Sequence, residues 1–450
     1  MSSSRVESVL EAVQSEIDPS PADRARLETA VDSLIGRTER VLEDIDVPVS
    51  VRHVGSTARS TWVAGDRDID VFLQFPTDLD RGTLTRLGLQ VGNEVLPEGQ
   101  EEYAEHPYVT GEYDGFDVDL VPCYAVADPA DIKSAVDRTP FHNDYLERRL
   151  DEDLAGEIRL FKQFLKGVGA YGSDLKTAGY SGYLTELLVL EYGDFLSVLE
   201  AARAWRPPVE LDPEAHGEAS FDDPLVVIDP TDPERNVAAV VSEENVARLI
   251  HHARRFLEDP STDRFFEDPP EGLSPERIRE VVRSRASTPI AVRFDPPDLV
   301  EDQLYPQLER SLAGLVRGLQ THDFEVLRGD AWANDTAVLF VDLSVSTLPA
   351  IERHTGPPVH VSAHAERFFE TYDDAPVYGP FIDGDRYVVE RDREYTSAVD
   401  FVEESLLEVA HGAQLEGVLE SGYTTLSGEE IGSLADEFET ELARFYDPRP

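Results

Sequence analysis

Apolar residues fall at three- and four-residue intervals in the first part of the chain: Val9, Leu10, Val13 and Ile17, then Leu27, Val31, Leu34 and Ile35. That spacing predicts two helices over residues 5–44, separated by the breaker stretch DPSPAD. From 49 to 126 the pattern changes to short alternating runs, VSVRHVGS, DIDVFLQF and FDVDLVPCY, with a helical LTRLGLQVGNEVL between the second and third. Alternation turns successive side chains to opposite faces of a strand, so this stretch predicts a mixed sheet with helices.

Helical spacing returns in GEIRLFKQFLKGVGAYG, GYLTELLVLEYGDFLSVLEAA and SEENVARLIHHARRFL, predicting a largely helical stretch from 150 to 257. The segment EDPSTDRFFEDPPEGLSPERIREVV then predicts a linker and a helix with Ser274 as N-cap and Pro275 at its first position. A domain boundary is expected near 260–273. Beyond it, PIAVRFDPP, FEVLRGDAWANDTAVLFVDLSVS and PVYGPFIDGDRYVVERD predict strands, the last with Asp383-Gly384 at a hairpin tip. The fold class is therefore α+β and multidomain, and 450 residues give room for about three domains.

Charge changes the picture most. The chain carries 91 acidic against 40 basic residues, a formal charge of −51, and its only lysines are Lys133, Lys162, Lys166 and Lys176. Acidic chains poor in aromatics are often disordered, but 9% aromatic residues and sustained periodicity argue for a folded protein. Such a surface repels itself in dilute buffer and is screened over about 3 Å in molar salt, which points to the cytoplasm of a halophile. In that medium a negative protein is not barred from nucleic acid, and local basic patches matter more than the total. Cys123 is the sole cysteine, so no internal disulfide or cysteine-based zinc site is expected. The first residues lack the apolar core of a signal peptide, and no run is long enough to span a bilayer, so a soluble chain is expected.

The candidate chemistry lies in GSTARSTWVAGDRDIDVF, residues 55–72, which ends in aspartates at alternate positions, Asp66, Asp68 and Asp70. On a strand Asp68 and Asp70 share one face while Ile69 and Val71 turn to the core. Adjacent carboxylates repel unless a cation lies between them, and Mg²⁺ takes one or two carboxylates together with substrate phosphates. A solvated acidic face is the competing reading. The Gly55-Ser56 turn can offer N–H and hydroxyl donors to phosphate, and Arg59 adds positive charge. A third carboxylate would complete a two-metal site, and Asp117 or Asp119 can supply it. Both lie on one strand face, so periodicity leaves the choice open.

In order along the chain, GSTARSTWVAGDRDIDVFLQFP, VDLVPCY, RTPFHNDYL, GAYGSDLKTAGYSGYLTELLVLEYG and DPTDPERNVAAVVS resemble the archaeal class I CCA-adding enzymes, tRNA nucleotidyltransferases of the polymerase-β superfamily. Weaker similarity, including GPFIDGDRYVVE, continues to the C-terminus. The resemblance implies template-independent addition of C, C and A to the tRNA 3′ end, and repair of damaged ends, from CTP and ATP with release of pyrophosphate. It implies a nucleotidyltransferase head over 1–145, a helical nucleotide-binding neck over 146–270 and a tRNA-binding α/β body and tail over 271–450. The implied cofactor is Mg²⁺, and the implied RNA contacts are the acceptor stem and T arm. No membrane partner is implied, and a homodimer is left open.

By motif position the resemblance makes Asp68, Asp70 and Asp119 the metal ligands and catalytic carboxylates. The family often has Glu at the first position, where Asp68 keeps the ligand chemistry with a shorter reach. Ser56, Arg59, Thr139, His142, Lys162, Tyr171 and Arg235 become nucleotide contacts, with Lys162 on the triphosphate and Arg235 on the base edge. An ion pair at a helix start is the competing reading of Arg235. Helical spacing places Arg159, Lys162 and Lys166 on one face, opposite Phe161, Phe164 and Leu165. A chain that otherwise uses arginine keeps three of its four lysines between 162 and 176, as expected of a functional patch. Arg277, Arg279, Arg283 and Arg285 either meet RNA phosphates or form a solvated helix face. The rival readings are a poly(A) polymerase or other RNA tailing enzyme, and a catalytically silent tRNA-binding protein.

Overall fold

The computed structural model describes residues 3–103, 106–266 and 269–450. The chain divides into two compact units, residues 1–268 together with Pro450, and residues 269–449.

The first unit begins with α1 (Ser3–Ile17) and α2 (Pro21–Leu42), as the spacing predicts; Ser20 and Asp23 close a reciprocal capping box at the start of α2. A sheet follows from β1 (Ser50–Val54), β2 (Asp68–Phe75), β3 (Gln100–Tyr103), β4 (Pro107–Tyr113) and β5 (Phe116–Tyr124), with the one-turn α3 (Gly55–Ala58) after β1 and α4 (Arg81–Val95) after β2. The strand order is β1-β2-β5-β4-β3, in which β2 and β5 run parallel and the other pairs antiparallel. Parallel neighbours need a crossover, and α4 supplies it. Leu84, Leu87, Val91 and Val95 of α4 join Leu27, Val31 and Leu34 of α2 over Ile69, Val71, Val118 and Leu120 of the sheet. One face of β2 and β5 is thus sealed; on the other, Phe72, Val121 and Cys123 are buried with Val54, and only the start of the two strands is left for chemistry.

The rest of this unit holds α5 (Thr139–Glu147), α6 (Glu152–Gly167), α7 (Gly182–Tyr192), α8 (Phe195–Ala202) and α9 (Glu243–Glu258). Phe161, Phe164, Phe195, Phe256 and Phe265 form its aromatic core. The run GYLTELLVLEYGDFLSVLEAA is broken, because Gly193 takes φ +97° and Asp194 starts α8 by accepting from the Ser197 amide. The stretch 150–257 also contains strands that helical spacing does not predict: β6 (Val209–Leu211), β7 (Leu225–Asp229) and β8 (Asp232–Asn236). All five residues of β7 are buried. Such a short, fully buried apolar run lacks the periodicity that would distinguish strand from helix.

In the second unit, α10 (Pro275–Arg285) starts as expected, with Ser274 accepting from the Arg277 amide. Strands β9 (Thr288–Phe294), β10 (Val326–Ala333) and β11 (Ala337–Leu343) join β15 (Thr424–Ser427) in the order β10-β11-β9-β15. A second sheet, β12-β14-β13, is made of β12 (Ile351–Pro358), β13 (Tyr378–Asp383) and β14 (Arg386–Asp392), with the expected hairpin turn one residue further on, at Gly384-Asp385. Helix α11 (Glu301–Thr321) covers one face of the larger sheet through Leu304, Leu308 and Leu315, while Phe438 and Leu442 of α12 (Ala435–Tyr446) cover the other. Both faces are buried, which is why β11 reads as a continuous apolar run. No helix among the described residues is long and apolar enough to cross a membrane.

Candidate active site

The parallel pairing of β2 and β5 sets Asp70 opposite Asp119 and Asp68 opposite Asp117. Ile69, Val71, Val118 and Leu120 point the other way and are buried, so the aspartates share one face. Burial pushes Asp70 up from 3.8 to about 6, reinforced by the charges of Asp119 and Asp68 and opposed by Arg59 and Lys162. Burial also raises Asp119, where a hydrogen bond from Thr110 opposes it, and raises Asp68, where Asp66 adds repulsion. Asp117 is exposed whereas Asp119 is half-buried, so the register makes Asp119 the closer companion of Asp70.

The turn above this face requires glycine at position 55. Its φ is +82°, and a Cβ there would lie 2.0 Å from Oδ2 of Asp70. Ser56 follows in α3, half-buried, and its carbonyl accepts from the Thr61 amide at 3.0 Å, which folds the chain back toward β2.

Arg59 is more committed than the sequence suggests. Its Nη2 and Nε donate to Glu186 of α7 at 2.8 and 3.4 Å, and Nη1 donates to Asn143 of α5 at 2.6 Å. Three of its five N–H donors are therefore held by protein. Glu186 is 2% exposed and also accepts from Thr61 Oγ1 at 2.5 Å. Sequence reasoning missed Glu186 and Asn143. The available signal was a glutamate set among the leucines of LTELLVL, since a charge in an apolar helix needs a partner.

Lys162 and Lys166 donate to the two oxygens of one carboxylate, Asp66, at 2.6 and 2.8 Å. Both ammonium groups also lie over the Tyr171 ring, 5.4 and 5.5 Å from its centroid. Burial would raise Asp66, but the lysines outweigh it and hold the carboxyl below its usual range. The three alternating aspartates therefore do not share a face: β2 begins at Asp68, and Asp66 sits in the preceding turn, its amide donating to the Val63 carbonyl. Nor is Arg159 part of an open basic face. It is 2% exposed and donates to Asp18 and to the Ser60 carbonyl.

A second cluster forms where α5 meets β7 and β8. Asp229, fully buried, accepts from His142 Nε2 at 2.8 Å, Arg235 Nη1 at 2.6 Å, and the amide and hydroxyl of Thr231, each at 2.9 Å. Burial pushes Asp229 up, but the hydrogen bond and charge of His142, the Thr231 amide and Arg235 more than reverse this and hold it far below the usual carboxylate range. The His142 ring stacks on Tyr183 at 4.0 Å, and Thr139 begins α5 one turn earlier. Arg235 lies in β8 rather than at a helix start, and its ion pair is with Asp229. Sequence reasoning missed Asp229 and Tyr183, which carry no motif signal beyond the Asp-Pro turns of DPTDPER.

Comparison with known proteins places these clusters in one family. A model described as nucleotidyltransferase domain matches residues 35–142, one described as tRNA nucleotidyltransferase, second domain, matches 156–267, and one described as CCA-adding enzyme, C-terminal domain, matches 285–428. The CCA-adding enzyme of Halobacterium salinarum is 56% identical over 445 residues, covering 98% of each chain. Those of Haloarcula marismortui and Methanosarcina barkeri are 52% and 42% identical, the first over the whole of both chains and the second over 94% of this chain and 95% of its own. The chain belongs to the CCA-adding enzyme family.

The other residues singled out by the sequence are paired or buried. On α10, Arg277 pairs with Glu280, Arg279 with Glu276, Arg283 with Glu429 and Arg285 with Asp342, so each guanidinium already holds a carboxylate. Cys123 is fully buried in β5, and burial pushes its thiol up.

The divalent ion expected of CCA-adding enzymes fits the donors present. Asp68, Asp70 and Asp119 offer hard oxygen ligands whose charges repel one another. Among the described residues no group of three such side chains closes around a single point. A hard divalent ion does not need a closed protein cage where substrate phosphates and water supply the remaining ligands. The raised Asp70 also has a measurable cost. Its folded-state value of about 6 lies above 3.8, so its contribution favours folding below about pH 4 and is lost as pH rises through 6. In EDTA, Asp70→Asn is expected to raise stability at pH 8 by about 1–3 kcal/mol and to gain almost nothing near pH 4. Urea unfolding at both pH values in molar KCl measures this; equal gains at both would assign the effect to something other than charge.

Proposed function

We propose that this chain adds C, C and A in turn to the 3′ end of tRNA, using CTP and ATP without a nucleic-acid template, and restores damaged CCA ends by the same chemistry. One observation carries the reading: similarity to CCA-adding enzymes extends over the whole chain, including the C-terminal unit, rather than only the nucleotidyltransferase part. Residues 1–145 act as the catalytic head, 146–270 as the nucleotide-binding neck and 271–450 as the body and tail that hold the acceptor stem and T arm. The acidic surface fits the salt-rich cytoplasm of halophilic archaea, the source of several close relatives.

In the proposed reaction the tRNA 3′-hydroxyl attacks the α-phosphorus in line, the α–β bridging P–O bond breaks, and pyrophosphate leaves as the hydroxyl proton departs. Asp68, Asp70 and Asp119 would hold Mg²⁺, which when bound lowers the hydroxyl's pKa and neutralises charge on the leaving group. The Gly55-Ser56 turn lies against Asp70 and offers N–H and hydroxyl donors to the triphosphate. Arg59, anchored on Glu186 and Asn143, contributes positive charge beside Asp70. Lys162 takes the phosphates beside Tyr171, while Arg235, His142 and Thr139 position base and sugar. Asp229 holds Arg235 and His142 in place, so neither has to be ordered when the nucleotide arrives.

The deciding experiment uses tRNA that ends before CCA, in molar KCl with Mg²⁺, and resolves product length to one nucleotide. CTP alone should add two residues, and a third and last should require ATP. Open-ended tails would mean a tailing polymerase, and no extension would leave an RNA-binding protein. In the same assay Lys162→Ala should raise KM for CTP and ATP about tenfold or more, with tRNA affinity little changed. The reverse pattern would remove Lys162 from the nucleotide site.

A further inference from the structure

Asp66 is a half-buried carboxylate that the proposed reaction does not use. Its side chain is 14% exposed, and its two oxygens are divided between Lys162 and Lys166. Those lysines are four residues apart on α6 and share the Tyr171 ring, so without an anion between them they repel each other. A phosphate entering the site would make the contacts that Asp66 already makes. We propose that Asp66 is a built-in counter-anion for the triphosphate lysines. It holds them in position before the nucleotide enters, competes with phosphate for them, and so limits the affinity of the site for triphosphate and for the pyrophosphate that must leave.

Three observations support competition over simple support. First, the contacts are of the kind a phosphate would make: one anionic group presents two acceptor oxygens to two ammonium donors within 2.8 Å. Second, Asp66 lies outside the strand, in a turn where Gly65 has φ +96°, and among the described residues its carboxylate has, besides the lysines, a long 3.4 Å hydrogen bond from the Val63 amide, a weaker hold than β2 gives Asp68 and Asp70. Third, Asp66 already repels Asp68, so a triphosphate arriving beside Asp68 meets a further negative charge unless Asp66 gives up the lysines. A site with two free lysines would hold pyrophosphate more tightly, and Asp66 lowers the barrier to its departure.

The inference rests on Lys162 as a triphosphate contact, and the test separates the two. Asp66→Asn keeps the shape and removes the charge. In molar KCl with Mg²⁺ it is expected to lower the inhibition constant of pyrophosphate and KM for both CTP and ATP by about tenfold, while tRNA affinity stays the same. Asp66→Ser, which withdraws the oxygens as well, should shift pyrophosphate in the same direction. If pyrophosphate and nucleotide bind equally or more weakly to folded Asp66→Asn, the carboxylate only orders the lysines and the proposal is overturned. Lys162→Ala tests the underlying reading: it should weaken pyrophosphate binding and shrink the gain from Asp66→Asn. Unchanged pyrophosphate affinity in Lys162→Ala would overturn the lysine assignment, whatever Asp66→Asn does.

Discussion

Asp70→Asn, and separately Asp119→Asn, is expected to reduce kcat for the first C addition by about a thousandfold or more, with tRNA affinity kept within about twofold. The reason lies in the register. Asp70 and Asp119 are opposite residues on adjacent parallel strands, half-buried on the face away from the core, so each amide removes one of the few charges able to hold a cation there. Asp117→Asn is the control, because that side chain is exposed at the rim of the same face; it should cost less than about tenfold. Primer extension gives kcat and filter binding gives tRNA affinity. A matched loss of both would mean that the carboxylates support the fold instead of the chemistry.

The second large effect is expected at Asp229, with the opposite sign on stability. Asp229 is fully buried and held far below the ordinary carboxylate range, so it stabilises the fold above its unfolded value, and that stability is lost as pH falls through its lowered folded-state value. Asp229→Asn puts an amide N–H₂ among the donors of His142, Arg235 and Thr231 and leaves Arg235 without its counter-charge. We expect a loss of about 3–5 kcal/mol in urea unfolding, as when one partner of a buried pair is removed. We also expect kcat/KM for CTP and ATP to fall at least about a hundredfold, because both proposed nucleotide contacts, His142 and Arg235, lose their anchor. Asp70→Asn should leave the metal-free fold firmer and remove the chemistry, whereas Asp229→Asn should loosen the fold and remove the grip on the nucleotide. Finding normal stability in Asp229→Asn would show that Arg235 and His142 find other partners.

Where the chain declares itself locally, the sequence was readable. The alternation in DIDVFLQF and FDVDLVPCY revealed both strands and the acidic face, because the intervening Ile69, Val71, Val118 and Leu120 can only be core. The Ser274-Pro275 start was readable for the same reason, as was the hairpin turn, to within one residue, since each is a short-range backbone effect. The strand start was not. Alternation continues back through Asp66, but the ladder begins at Asp68, and only three-dimensional pairing shows that Asp66 belongs with the lysines about a hundred residues on. Arg59 and Glu186 are 127 positions apart, and nothing in either neighbourhood names the other. The strands around Arg235 were hidden for a third reason: β7 is short and wholly buried, and β8 is a short polar run, so neither has the apolar alternation that marks a half-exposed strand. On α10 the glutamates beside Arg277 and Arg279 were visible in sequence, while the distant Glu429 and Asp342 that take Arg283 and Arg285 were not.

The pairing of β2 with β5 also polices its own assembly. If β5 slid by one residue against β2, Val118 and Leu120 would turn to water, and Asp117 and Asp119 would be driven among Leu84, Val91 and Leu34. Burying carboxylates in that apolar layer costs several kcal/mol each, so the nearest wrong pairing cannot persist as a trapped, half-active form. The spacing that arranges the acids thus makes mispaired chains unfold, and a population of this protein sorts into correctly zipped molecules and open ones.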